Sequence, residues 1–201
     1  MISKPKFKIC RRLGPGVYDK CQTSKFQAAS TKGGSTLARR PKAPSEYGAQ
    51  LIEKQKTRFS YGISERQLAN YVKKASLIKG IGTVEKLYEE LESRLDNVIY
   101  RMGLGVSRRA ARQMVSHGHF VVNGKRVTIP SYGLKSGDVV KIREGSKSKK
   151  IFNNMAENLK DYNSPVWVSF DSNSMEGKIL DKPKNTEGFL DLSAVLEFYS
   201  R

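Results

Sequence analysis

Residues 94–142, RLDNVIYRMGLGVSRRAARQMVSHGHFVVNGKRVTIPSYGLKSGDVVKI, decide the fold. Ser107 stands where a helix N-cap belongs, and from Arg108 to His117 the apolar Ala111, Met114 and Val115 share one helical face before Gly118 offers a left-handed terminus. Arg108, Arg109 and Arg112 fall off that face and are expected to point outward. Phe120-Val121-Val122 and Arg126-Val127-Thr128-Ile129 then flank Asn123-Gly124, the pair best suited to a type I′ turn because both central residues need positive φ. A third strand, Val139-Val140-Lys141-Ile142, follows the Ser136-Gly137-Asp138 turn. The stretch predicts helix, turn, helix and a small antiparallel sheet.

Upstream, Leu87, Leu91, Leu95, Val98 and Met102 recur at steps of three and four, predicting one helix that Gly103 and Gly105 end. That stripe is core, not a cofactor box. Residues 45–75 predict two more helices, with Leu51, Ile52 and Phe59 on the first, a break near Gly62, and Leu68, Tyr71 and Val72 on the second. Ser64 and Gln67 have capping-box spacing. Before Ser45, Lys and Arg interleave with Gly, Pro, Ser and Thr without an apolar period. This reads as an extended basic arm that orders on its partner, a flexible linker being the alternative. The run Ser146 to Lys150 marks a boundary, after which come one strand, Val166 to Phe170, and an apolar end, Leu196 with Phe198 and Tyr199.

The expected fold class is α+β. A basic arm covers residues 1–44, and a helical domain covers 45–92, joined by the C-terminal segment 165–201. An inserted domain, two short helices on a small sheet, covers 93–164. A chain of 201 residues suffices for one or two modest cores but not for a large catalytic domain with appendages.

Charge narrows the function. The formal net charge of +18 would repel itself in a compact monomer unless a polyanion neutralised it. Residues 1–60 carry net +11 and 101–150 net +10, while 61–100 balance and 151–201 carry −3. No run approaches the roughly 20 apolar residues of a spanning helix, and Met1-Ile2-Ser3-Lys4-Pro5 leads into no apolar signal segment. The expectation is a cytoplasmic nucleic-acid-binding protein with no membrane partner. Cys10 and Cys21 are expected to be reduced thiols. A tetrahedral zinc site needs four ligands at tighter spacing, and His117 and His119 lie far downstream.

The candidate RNA-binding donors concentrate between Ser93 and Arg143: Arg94, Arg101, Ser107, Arg108, Arg109, Arg112, Gln113, Ser116, His117, His119, Asn123, Lys125 and Arg126. Arginine's planar fork engages phosphate oxygens bidentately and stacks on unpaired bases, while Ser, Asn and helix-start amides complete a phosphate cradle. For the two histidines a capping or packing role stands beside RNA contact. No glycine-rich nucleotide loop or nucleophile–base pair is present, so no catalytic residue, cofactor or metal ligand is assigned.

Residues 94–142 resemble the αL RNA-binding module of the ribosomal protein S-four family, and SEYGAQLIEKQKTRFSYGISERQ, residues 45–67, resembles that family's preceding helical segment. With Arg11-Arg12-Leu13-Gly14 near the start and Glu197-Phe198-Tyr199-Ser200-Arg201 at the end, the similarity spans nearly the whole chain. It implies a structural constituent of the small ribosomal subunit that binds rRNA at the helix junction of the 5′ domain and nucleates assembly. It also implies a contact with ribosomal protein S-five that influences decoding accuracy, and a place lining the channel through which mRNA enters. Arg39, Arg40 and Lys42 would face that channel. Further rRNA contacts are expected from Arg11, Arg12, Tyr47, Lys54, Lys56, Arg58 and Arg66. The Pro-Pro-Gly-Gln-His-Gly-like segment common in the family's arm is replaced here by Ser30 to Ala43. The four-cysteine zinc knuckle of some members is reduced to Cys10 and Cys21.

Two rivals share the αL module. An RNA-modifying enzyme would need a further catalytic domain, for which mostly basic arm and short helices leave no room. A free-standing αL protein that rescues stalled large subunits would lack the helical block from Ser45 to Ala75.

Overall fold

Ser64 starts a helix as its spacing to Gln67 predicts, and Ser45 starts the one before it. The computed structural model describes residues 5–24, 26, 43–78, 82–153, 159, 162–171, 174–184 and 188–201. It divides into two units, Met1–Val84 with Thr186–Arg201, and Glu85–Asn185. In the first, α1 (Lys6–Leu13) ends where Gly14 takes φ 106°, and two 3-10 turns follow, Pro15–Val17 and Asp19–Cys21. Cys10 and Cys21 are buried and joined by a disulfide, so the two free thiols expected from sequence are not there. The turns fold the chain back until the two sulfurs meet, a proximity that their separation in sequence hides. Two cysteines bonded to each other do not fit the four-ligand zinc knuckle.

Helix α2 (Glu46–Ser60) begins with Ser45 Oγ accepting from the Gly48 amide at 3.2 Å. Helix α3 (Glu65–Ser76) carries the full capping box: Ser64 Oγ accepts from the Gln67 amide, and Gln67 Oε1 accepts from the Ser64 amide, each at 3.2 Å. Ile9, Leu13 and Val17 pack with Ile52 and Phe59 to form one apolar cluster of this unit.

The second unit corrects one expectation at once. The predicted long helix is two, α4 (Thr83–Glu92) and α5 (Leu95–Arg101), although Leu87, Leu91, Leu95, Val98 and Met102 are all fully buried. At the break Arg94 is extended, with ψ 137°, and bridges Gly133. The amides of Leu95 and Asp96 bond to the carbonyls of Tyr132 and Pro130, and the Leu134 amide bonds to the Ser93 carbonyl. Tertiary backbone bonds thus replace the helical ones that a continuous helix would have made.

Helix α6 (Arg108–Ser116) has Ser107 as N-cap and ends with Gly118 at φ 71°. Strands β1 (Phe120–Val122) and β2 (Lys125–Arg126) join through Asn123 and Gly124 at φ 47° and 80°, the predicted turn. Strand β2 stops at Arg126 instead of running to Ile129, because after Val127, whose amide still reaches the Phe120 carbonyl at 3.4 Å, the chain turns away and the carbonyls of Pro130 and Tyr132 bond the start of α5. Strand β3 (Val139–Ile142) pairs with β1, and the expected boundary at 146–150 instead carries two short helices, α7 (Glu144–Lys147) and α8 (Lys150–Asn153).

Strands β4 (Val168–Asp171) and β5 (Glu176–Ile179) form a further hairpin, giving an antiparallel sheet in the order β2-β1-β3-β5-β4. The segment 165–201 therefore does not join the helical unit as a whole. Its hairpin extends the sheet through β3, and Trp167, Val168 and Ile179 enter the second core with Phe120, Val140 and Ile142. Of its described elements, α9 (Leu192–Ser200) packs on α2 and α3, with Asp191 as N-cap and Tyr47 against Phe198. The fold class is α+β, and no described helix is long and apolar enough to cross a membrane.

Candidate nucleic-acid interface

Two buried carboxylates organise the arginines of the second unit. Asp96, at the start of α5, accepts from Arg94 through Nε at 3.0 Å and Nη2 at 2.8 Å, and from Arg112 Nε at 2.8 Å. Glu92, closing α4, accepts from Arg101 Nε at 2.8 Å and Nη2 at 3.0 Å, and from Asn97 Nδ2 at 2.8 Å. Asn97 Oδ1 in turn accepts from Arg108 Nε at 2.7 Å, and the Arg108 guanidinium lies over the Tyr100 ring. Four guanidinium groups around two carboxylates leave an excess of positive charge at the face of α6.

Arg108 and Arg112 are therefore not free to point outward. Both are partly buried and held by acceptors whose positions depend on the α4–α5 break. Arg94, with 2 % of its surface exposed, is interior and bonded to Asp96 instead of lying at the surface. Arg101 is engaged mainly by Glu92. Ser107 Oγ caps the Ala110 amide, and Asn123 bonds Asp138 and the Val139 amide across the sheet edge. His119 is buried, with Nδ1 3.0 Å from Ser146 Oγ. Burial, then the charges of Lys149, His117, Arg143 and Arg126, hold its pKa below the ordinary imidazole value.

What remains exposed is coherent. Arg109, Gln113, Ser116 and His117 line one face of α6 at helical steps. That face meets the hairpin where Arg126 Nη2 reaches the His117 carbonyl at 3.4 Å, with Lys125 beside it. Sequence reading missed Arg143 and Lys149, which join this field; the run of cations at 147–150 was the available signal.

In the first unit Arg11, Arg12, Arg66 and Tyr47 are exposed. Lys54 is buried instead, 3.0 Å from Glu65 and 4.0 Å from the Phe198 ring centroid. Lys56 pairs with Glu53, and Arg58 bonds Gln55 while lying on Phe59. Arg39, Arg40 and Lys42 lie outside the described residues. Burial raises the Glu65 pKa, but hydrogen bonds from Tyr199 and Lys54 and the charges of Lys54 and Arg58 outweigh it and hold the carboxyl below its usual value.

Two families match successive parts of the chain. A family described as S4 domain matches residues 93–140, and one described as ribosomal protein S4/S9 N-terminal domain matches residues 2–92. Small ribosomal subunit protein uS4 of Acetivibrio thermocellus is 44% identical over 209 residues, covering 96% of each chain. The uS4 proteins of Thermotoga petrophila and Thermus thermophilus are 43% and 41% identical, each covering 98% of this chain and 97% of the relative.

Proposed function

The chain belongs to the S4 family of small-subunit ribosomal proteins, and on that premise we propose that it is a structural constituent of the small ribosomal subunit that binds rRNA and performs no catalysis. The observation that carries the mechanism is the continuous exposed face of Arg109, Gln113, Ser116 and His117 with Lys125 and Arg126. Guanidinium and ammonium groups on that face take phosphate oxygens and release counterions, and the face reads the shape of folded RNA more than its sequence. The Glu92–Asp96 network fixes Arg108 and Arg112 beneath it, so binding need not order those side chains.

On the same reading the protein nucleates assembly at the junction of the 5′ domain and contacts ribosomal protein S-five. It also reaches the channel through which mRNA enters with Arg39, Arg40 and Lys42. Arg11, Arg12, Arg66 and Tyr47 are the surface groups of the first unit placed to add rRNA contacts.

The test is chemical footprinting of small-subunit rRNA with wild-type protein and with Arg109→Ala/Lys125→Ala/Arg126→Ala, together with sedimentation of extract. The variant is expected to bind more weakly without unfolding. The logarithmic salt slope should fall by roughly one unit for each phosphate that is no longer engaged. Wild-type binding by the variant, or exclusive sedimentation with the large subunit, would refute the proposal.

A further inference from the structure

We propose that the cavity at the C-terminal half of α6 receives a single unstacked RNA base, its flat face against Val106 and Ile151 and its polar edge toward Gln113 and His117. The proposal rests on the rRNA-binding reading and adds a base contact to what is otherwise phosphate recognition.

The cavity holds about 420 Å³, within the roughly 300–1,000 Å³ of small-molecule sites and suited to one planar heterocycle with ordered water. Its floor is apolar and buried, from Leu104 and Met114. Its lips are apolar and exposed: Val106 keeps 89% of its surface in water and Ile151 58%. One such residue on a surface needs no explanation, but two across one mouth, within the most basic part of the second unit, do. At Gly105 a Cβ would lie 3.0 Å from the Ala111 Cβ and 3.2 Å from its backbone nitrogen. At Gly105 the loop over α6 is therefore bare backbone, and that close approach shapes the wall.

The polar groups of the lining match a base edge. The Gln113 carboxamide both donates and accepts, and imidazole stacks on bases as well as hydrogen-bonding to them. The His117 ring stands edge-on to His119, 5.9 Å between centroids, and Ser146 anchors His119 through Nδ1, so this wall is built rather than adventitious.

Charge decides the occupant. None of the described lining residues is Lys or Arg, so a phosphate held among them would be desolvated without a counter-ion. The cations Arg126, Arg143 and Lys149 instead surround the neighbouring His119. A nucleotide satisfies both regions at once, backbone on the cations and base in the cavity, whereas a purely aliphatic peptide segment would leave the cations unmatched.

The experiment uses full-length protein and small-subunit rRNA. Val106→Ser/Ile151→Ser strips the apolar lips at exposed positions, and Ala110→Phe fills the cavity, with thermal melts as fold controls. Losing the apolar contact of Val106 and Ile151 with one base is expected to lower affinity by between about fivefold and a hundredfold, at an unchanged salt slope. Base-specific probing is expected to show one unpaired base, protected by wild type, becoming reactive while the sugar–phosphate footprint persists.

Wild-type affinity and protection in the lip variant would overturn the proposal. So would a salt slope lowered by a full unit, which would put a phosphate in the cavity, or weakened association with a ribosomal protein at intact rRNA affinity. Failure of wild-type protein to bind the rRNA would instead sink the reading beneath it, which separates the two failures.

Discussion

Asp96 shows how a residue without any direct RNA role governs the site. It is the acceptor for both Arg94 and Arg112, and Arg94 has almost no access to water. Asp96→Asn would leave a guanidinium buried against a neutral amide, and breaking such a pair costs about 3–5 kcal/mol. The urea midpoint is expected to fall with an unchanged m value, whereas Arg109→Ala, at an exposed position, should stay within about 0.5 kcal/mol of wild type. His119 sets a pH dependence of determinate sign. Its folded pKa lies below the unfolded value near 6.5, so the unfolded chain binds more protons once the pH falls under that value. The contribution is complete above about pH 6.5 and is lost as pH drops through the depressed folded pKa. Comparing unfolding at about pH 7.5 and about pH 5.5, on either side of the unfolded value, should show the loss. His119→Gln should flatten it; a dependence unaltered by that change would rule this histidine out as its source.

At the scale of elements, capping and apolar period were legible because they are local. Ser64→Ala removes one half of an observed reciprocal box and should cost about 1 kcal/mol, read from the thermal midpoint. The α4–α5 break was not legible, since the stripe from Leu87 to Met102 runs through it unbroken and the groups that compete for its backbone come from residues 130–134. The β4–β5 hairpin was half hidden for a related reason. Glu176-Gly177-Lys178 lacks strand character, yet Gly177 leaves the space that the end of the Met102 side chain fills, its Cε 2.4 Å from where a Cβ would stand. Lys54 reads as a phosphate contact when only its charge is visible; its partners are Glu65, on the next helix, and Phe198, on α9. Tyr199 also donates to Glu65, at 2.6 Å, and burial followed by that bond raises the phenol's pKa. Tyr199→Phe should therefore loosen α9 from α3, with a loss of about 1 kcal/mol because Glu65 is half exposed to solvent. Hydrogen exchange along α9 would report it, and unchanged protection would count against the bond.

For the whole molecule, the excess of +18 sets how binding responds to salt. Part of the positive charge in residues 92–112 is internally compensated: Glu92 and Asp96 engage Arg94, Arg101, Arg108 and Arg112 and offset two of those four charges. Charge counted from sequence therefore overstates the phosphates that this surface engages, because a guanidinium already paired releases fewer counterions when RNA arrives. The salt slope should consequently follow the exposed cations, Arg109, Lys125 and Arg126 with Arg11, Arg12 and Arg66, together with the basic arm, rather than the formal total. If the full chain engages about six to ten phosphates, rRNA affinity should fall on the order of a thousandfold between 50 and 200 mM salt. Arg39→Gln/Arg40→Gln/Lys42→Gln should flatten that slope while leaving the contribution of the second unit. Filter binding across the salt range separates these contributions, and an affinity indifferent to salt in the full chain would contradict a phosphate-based grip.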